Sequence, residues 1–189
     1  EPAVLRRPAA AALLGAVLWA ALGSAPPAAA NPGAGAFWKA GPEAVAALAL
    51  SDEELLGQVF MIGYLGESPT PELLDWIRRR GLGGVKIFTR NVGSLESLSR
   101  SVRAMQEQAE RTRLAIPLFI STDQEGGWVR HVKAGASETA GNIALGAAGL
   151  PRDALLTGYY IGRELAALGI NMNFAPTIDV YSNPSASVI

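Results

Sequence analysis

Four short apolar runs, each preceded by a segment with helical features, constrain the fold of this chain more than any other feature. The runs cover residues 58–65, 85–88, 116–123 and 171–179. The longest intervening helix is predicted over residues 94–112, where Leu95, Leu98, Val102 and Met105 recur at three- and four-residue spacing. Such alternation predicts an α/β fold with a parallel sheet and helices outside it. A doubly wound sheet and a barrel share this periodicity, so spacing alone leaves both open.

Signals at the helix ends support these boundaries. Ser51 and Glu54 form a capping box, and Thr70-Pro71 opens the next helix with proline where its missing N–H is tolerated. Arg78-Arg79-Arg80 precedes a closing Gly81. The arginines could form a basic binding patch, but a cationic last turn also stabilises the negative end of a helix dipole, and we favour that interpretation.

The run over residues 116–122 leads directly into Asp123-Gln124-Glu125-Gly126-Gly127. In a barrel of parallel strands the ligand lies at the carboxyl ends of the strands, so an acid at this point faces the mouth. The two glycines permit positive φ and a tight turn beside a bound group. Asp123 is therefore the first candidate for a binding residue. Alternatively, it caps the following loop through backbone N–H groups.

Three segments carry a resemblance to a known family: GGVKIFTRN (residues 83–91), PLFISTDQEGG (117–127) and GINMNFAPTIDV (169–180). From about residue 51 to 189 the chain resembles the N-terminal part of the catalytic barrel of family 3 glycoside hydrolases, particularly bacterial β-N-acetylglucosaminidases. The resemblance implies a TIM-type (β/α)8 barrel, of which this chain supplies roughly the first half. A complete barrel takes about 250 residues.

The resemblance also implies a function. It predicts an exo-acting, retaining hydrolase that removes a terminal β-linked sugar, with N-acetylglucosamine preferred, from an oligosaccharide or cell-wall glycan. No cofactor or metal is implied. The family nucleophile and its Asp–His acid/base pair would lie beyond residue 189, so we expect no catalytic residue here and no activity of these 189 residues alone. A β-glucosidase-type member and a non-catalytic sugar-binding relative are the alternatives.

Four residues are predicted to bind substrate: Asp123, Glu125, Trp128 and Asp179. By resemblance, Asp123 accepts hydrogen bonds from hydroxyls of the terminal sugar. Glu125 could bind sugar, pair with Arg130 or brace its loop, and bracing is favoured. Trp128 stands where the family often has arginine, and it could stack on a sugar face or pack beneath the loop.

Asp179 is placed at the end of the fourth predicted strand, with Asn171 and Asn173 on one face of that strand. Asp179 and Asn173 either shape the site or hydrogen-bond within the barrel. His131, the single histidine, is interpreted as a loop or core residue and not as the family's acid/base histidine.

Residues 1–30 are typical of a signal peptide, with Arg6-Arg7, an apolar stretch over residues 9–22 and small residues at 28–30. A membrane anchor is the alternative, although the stretch is shorter than the ~20 residues of a bilayer span. Residues 31–50 are interpreted as a linker or N-terminal extension, and residues 51–189 as the first half of the barrel. We expect a periplasmic or secreted protein.

The net charge and the absence of two nucleotide-binding motifs limit the classes of partner that the sequence supports. The formal charge is −1, from 16 basic and 17 acidic residues, so it gives no sign of the basic surface that nucleic acid requires, and no nucleic-acid partner is expected. No G-x-G-x-x-G or G-x-x-x-x-G-K-[ST] pattern supports nucleotide binding. The oligomeric state is not predicted.

Overall fold

The computed structural model describes residues 50–180, 182, 183 and 185. The predicted signal peptide and nearly all of the predicted extension therefore lie outside the described residues. Along the described chain the elements are α1 (Asp52–Val59), β1 (Met61–Gly63), α2 (Pro71–Arg80), β2 (Gly84–Lys86), a 3₁₀ helix (Thr89–Asn91), α3 (Leu95–Glu110), β3 (Phe119–Thr122), β4 (Gln124–Gly126), β5 (Val129–Arg130), α4 (Asn142–Ala148), α5 (Pro151–Ala167) and β6 (Met172–Asn173).

The main sheet contains four parallel strands in the order β1-β2-β3-β6. Its strands follow chain order without a reversal, apart from the separate antiparallel hairpin β4-β5 that lies between β3 and α4. A doubly wound sheet reverses its strand order at a switch point. The observed order is therefore that of a singly wound barrel.

Helices cover one face of this sheet. Ile62, Val85 and Ile120 occupy equivalent positions on β1, β2 and β3, and the last two are fully buried. From α3, Leu98, Val102 and Met105 pack into the same core. The predicted apolar stripe of α3 is thus confirmed. The side chains of the candidate functional site lie on the opposite face of the sheet.

The predicted helix ends are also confirmed. The Ser51–Glu54 capping box is formed, Thr70 caps α2 with Pro71 in its first turn, and Gly81 ends α2 in the left-handed region at φ 60°. The arginines at the end of α2 contact acidic groups, since Arg79 Nε lies 2.7 Å from the Asp75 carboxylate and Arg80 pairs with Glu53.

The strands are shorter than predicted. Val59 belongs to α1, because the helix that starts at the capping box continues through it, so β1 begins only at Met61. The prediction of a fourth strand over residues 171–179 is wrong beyond Asn173. The last backbone hydrogen bond between the two segments runs from Phe174 N–H to the Thr122 carbonyl. Because β3 ends at Thr122 and the chain then enters the hairpin, residues after Phe174 have no strand to pair with there. Pro176, moreover, has no N–H for a ladder.

Candidate functional site

Asp123 and Lys86 meet at the carboxyl ends of β2 and β3. Lys86 is paired in register with Ser121, and Asp123 lies two residues further along, on the same face. The Lys86 ammonium is 2.9 Å from Asp123 Oδ2, with the two side chains 27% and 21% exposed. An ionic pair therefore stands at the mouth, where the sequence predicted the carboxylate alone.

Aromatic rings flank this pair. The Lys86 ammonium lies 4.9 Å from the centre of the Phe174 ring and 5.2 Å from that of Phe88. Arg90 lies over Phe88, 4.3 Å from its centre, and donates from Nε to the Tyr64 carbonyl. Such cation–π contacts hold the lysine head at the entrance.

His131 lies beside Asp123, although the sequence analysis treated it only as a loop or core residue. Its Nε2 is 3.4 Å from Asp123 Oδ2, and its Nδ1 is 3.0 Å from the Thr89 hydroxyl. The His131 backbone N–H also bonds to the Asp123 carbonyl. The ring meets Phe88 edge-on, with centroids 5.4 Å apart. Histidine thus connects the loop after β2 to the carboxylate after β3.

The Asp123 carboxylate consequently has two side-chain partners, Lys86 and His131, within the described part of the chain, and no backbone N–H there bonds to it. This arrangement differs from a carboxylate that caps its own loop. It leaves an acceptor with a cationic neighbour, a combination suited to recognising hydroxyl groups.

The hairpin β4-β5 is held by Gln124, whose side chain is only 3% exposed. Its Nε2 donates to the Val132 carbonyl at 2.7 Å, and its Oε1 accepts from Val132 N–H at 3.1 Å. Gly126 and Gly127 turn the chain with φ values of 93° and 56°. The hairpin was not predicted, because β4 and β5 have three and two residues and lack an apolar run.

Trp128 stands at the tip of this hairpin with 98% of its surface exposed. It therefore does not pack beneath the loop, one of the two alternatives. The tip of the hairpin is held instead by Arg130, whose side chain donates to the Gly127 carbonyl and, at 3.0 Å, to the Glu138 carboxylate. The second alternative, stacking on a sugar, stays a prediction.

Glu125 braces the hairpin against the segment after β6. The Thr177 hydroxyl donates to Glu125 Oε2 at 2.5 Å, and Arg130 pairs with Glu138 instead of Glu125. Of the three roles considered for Glu125, the geometry matches bracing.

Two asparagines of the β6 region extend its pairing with β3 through their side chains. Asn171 accepts from Ile120 N–H at 2.8 Å and donates to the Leu118 carbonyl at 3.0 Å. Asn173 accepts from Gln124 N–H at 2.9 Å and donates to the Gln124 carbonyl at 3.1 Å. We call these two asparagines, together with Gln124, the amide clamps. Asn173 thus acts within the barrel and fixes the residue next to Asp123.

Asp179 lies elsewhere. It follows the end of β6 by six residues and is exposed, so its predicted position at a strand end is wrong. The cause is the early end of the ladder at Asn173. Within the described residues, the structure brings Asp123 together with Lys86 and His131, and it leaves Asp179 outside that group.

Lys86 was missed by the sequence analysis. The available signal was a single charge inside the apolar run Val85-Lys86-Ile87, whose two neighbours are fully buried. A lysine at such a position must face away from the helices.

No helix in the described part of the chain has the length and apolar character needed to cross a membrane. Nor do three or more His, Asp or Glu side chains of the described residues cluster closely enough to hold a metal ion.

Comparisons with known proteins place this geometry in a family. Residues 51–189 match the glycosyl hydrolase family 3 N-terminal domain. The chain is 37% identical over 161 residues to beta-hexosaminidase A of Pseudoalteromonas piscicida, covering 74% of this chain and 27% of that protein. It is 34% identical over 140 residues to an uncharacterized secreted glycosyl hydrolase of Arthroderma benhamiae, covering 73% of this chain and 39% of the relative.

A solved structure shows the same fold. The family 3 β-N-acetylglucosaminidase of Paenibacillus sp. str. FPU-7 superposes with a TM-score of 0.68 at 38% identity, covering 72% of this chain and 26% of that one. The chain thus spans about a quarter to two-fifths of these relatives. The prediction of a TIM-type (β/α)8 barrel is confirmed, with four of its parallel strands in the described residues. The chain belongs to glycosyl hydrolase family 3, and residues 51–189 match the N-terminal domain of that family.

Proposed function

We propose that the full-length polypeptide carrying this chain hydrolyses terminal β-linked N-acetylglucosamine from oligosaccharides or cell-wall glycans. The observation that carries the proposal is the Asp123 carboxylate, held 2.9 Å from Lys86 at the strand ends of a family 3 barrel. The names of the Pseudoalteromonas and Paenibacillus relatives support β-N-acetylglucosaminides over β-glucosides.

Asp123 acts in this proposal as a substrate-binding residue. Its carboxylate accepts hydrogen bonds that hydroxyl groups of the terminal sugar donate, and loss of the carboxylate leaves these donors unpaired. Such recognition orients the anomeric carbon for the reacting groups, which the family resemblance assigns to residues beyond 189.

The reaction in this proposal is a double displacement with retention. A carboxylate attacks the anomeric carbon as the leaving oxygen is protonated, and a glycosyl-enzyme forms. Water then breaks the new ester bond with help from the acid/base group and releases the sugar. Asp123 contributes by holding the ring in place during both steps.

Trp128 is assigned to the sugar next to the terminal one. The hairpin that carries it begins directly after Asp123, and Trp128 stands exposed at its tip. An exposed indole at this position offers a flat surface for a second pyranose ring. Glu125 supports the same hairpin.

We also propose that the protein is exported. Support comes from the basic, apolar and small-residue order of residues 1–30 and from the relative described as secreted. Expression of the full reading frame in a bacterial host, followed by N-terminal sequencing of protein from the periplasm and medium, tests this. Retention of the uncleaved chain in the cytoplasm would refute it.

The activity is tested by assaying the full-length protein with 4-nitrophenyl β-N-acetylglucosaminide and β-glucoside. We expect hydrolysis of the first, and D123N should lower kcat/KM by about tenfold or more for each charge-assisted bond lost. Asp153→Asn, at an exposed residue of α5, is the matched control. Preferred turnover of the glucoside would favour a β-glucosidase, and sugar binding without turnover would favour a non-catalytic relative.

A further inference from the structure

Lys86 occupies a position where strand formation does not require a charge. Its neighbours Val85 and Ile87 are fully buried, and the strand pairs with β1 and β3 on both sides. Ammonium groups are almost never buried without a partner, and this one points to the mouth with 27% of its side chain exposed. The lysine thus delivers a cation to the same space as Asp123.

The ammonium still has donors to offer. A lysine head carries three N–H groups. Asp123 Oδ2 takes one, and no other acceptor among the described residues bonds to Lys86. The rings of Phe88 and Phe174 lie about 5 Å away and hold the ammonium through cation–π contacts. With 27% of the side chain exposed, the ammonium is open to a ligand, and a charged donor forms a stronger hydrogen bond to a hydroxyl oxygen than a neutral donor does.

We propose that Lys86 is a substrate-binding residue that donates a hydrogen bond to a hydroxyl of the terminal sugar, adjacent to the hydroxyl that Asp123 accepts. An acceptor and a donor 2.9 Å apart match two neighbouring ring hydroxyls, one of which gives its proton while the other receives one. The substrate class is therefore a terminal pyranose with two free vicinal hydroxyls. This inference rests on the proposed function, because it deepens the role of the same site.

The competing role for Lys86 is purely structural, in which it only orients the Asp123 carboxylate. The two roles differ in one measurable respect. A residue that contacts one hydroxyl loses its effect on affinity when that hydroxyl is absent from the ligand, whereas an orienting residue affects every ligand that Asp123 binds.

The experiment measures the Kd of the full-length protein for N-acetylglucosamine and for analogues that each lack one ring hydroxyl, by titration calorimetry. We expect K86M to weaken N-acetylglucosamine binding about ten- to a hundredfold, the range for a hydrogen bond to a charged group. For the analogue that lacks the hydroxyl bonded to Lys86, K86M and the wild type should have the same Kd. Lys133→Met, which removes the same charge from an exposed residue, is the matched control and should change Kd less than about twofold.

Other outcomes overturn the inference. Equal weakening of all analogues would assign Lys86 to orientation only, and an unchanged Kd would remove it from the site. K86Q removes the charge and shortens the side chain, so its amide does not reach the position of the ammonium; it serves if K86M does not fold, and it should follow the same analogue pattern. Since binding needs no turnover, sugar that binds in this pattern but is never hydrolysed would refute the proposed activity and leave the Lys86 assignment standing.

Discussion

Replacing Gln124 by leucine tests how the site is held together, because the change removes one amide clamp and keeps a side chain of similar size. The substitution leaves both Val132 N–H and the Val132 carbonyl without their partner at a residue that is 1% exposed. A buried polar group left unsatisfied costs about 1–3 kcal/mol. Two such groups predict a loss of about 2–6 kcal/mol in the free energy of unfolding.

The assay is denaturant unfolding of the full-length protein, combined with hydrogen exchange of the peptide that contains Val132. The midpoint should fall without a change in m, and exchange at Val132 should accelerate. Gln108→Leu is the control, since the Gln108 side chain has no hydrogen bond to the described residues and its loss should change stability by less than about 0.5 kcal/mol. Equal midpoints and equal exchange for Q124L and Q108L would refute the reasoning.

Three further predictions concern the β4-β5 hairpin and the ion pair between Glu54 and Arg113. Gly126→Ala should destabilise by about 1–3 kcal/mol in thermal or chemical unfolding, because φ is 93° and a Cβ would lie 2.5 Å from the Ala140 carbonyl; an unchanged midpoint would contradict this. Trp128→Ala should leave the midpoint unchanged yet raise KM for a disaccharide more than for a 4-nitrophenyl monosaccharide, and equal effects on both would remove the second-sugar contact. The side-chain hydrogen bond from Arg113, the largest cause, lowers the pKa of Glu54 from 4.5 to about 2. The stabilisation by Glu54 should therefore be present above pH 4.5 and lost as pH falls towards 2, so E54Q should flatten the stability profile in that window, and identical profiles would refute the assignment.

Much of the scaffold is predictable from local signals. Thr70-Pro71 and Gly81 bound α2 because caps depend on a few neighbouring residues, and Leu98, Val102 and Met105 mark a buried stripe because their spacing matches the helical period. The position of Asp123 at the mouth follows from the apolar run before it. These inferences need no knowledge of distant contacts.

The parts that escaped prediction depend on pairing across the chain. Asp179 was misplaced because the length of β6 is decided by where β3 ends, which no residue of the 171–179 run encodes. His131 reaches Asp123 only because the hairpin folds back on itself. Lys86 was missed for a different reason. Its charge is visible within the apolar run, but the function of a charged residue in a strand cannot be predicted until the face of the sheet on which it lies is known.

The amide clamps also determine when the site can form during folding. Ile120 and Gln124 receive their side-chain acceptors from Asn171 and Asn173, which are 51 and 49 residues further along the chain. Contacts of this separation form late, since a long loop must close before they can form. Until β6 docks, one edge of β3 stays open to water or to another chain. We therefore expect the segment around Asp123 to assemble late, and pulse-labelled amides of Ile120 and Gln124 should gain protection together with β6; earlier protection of these amides would contradict this.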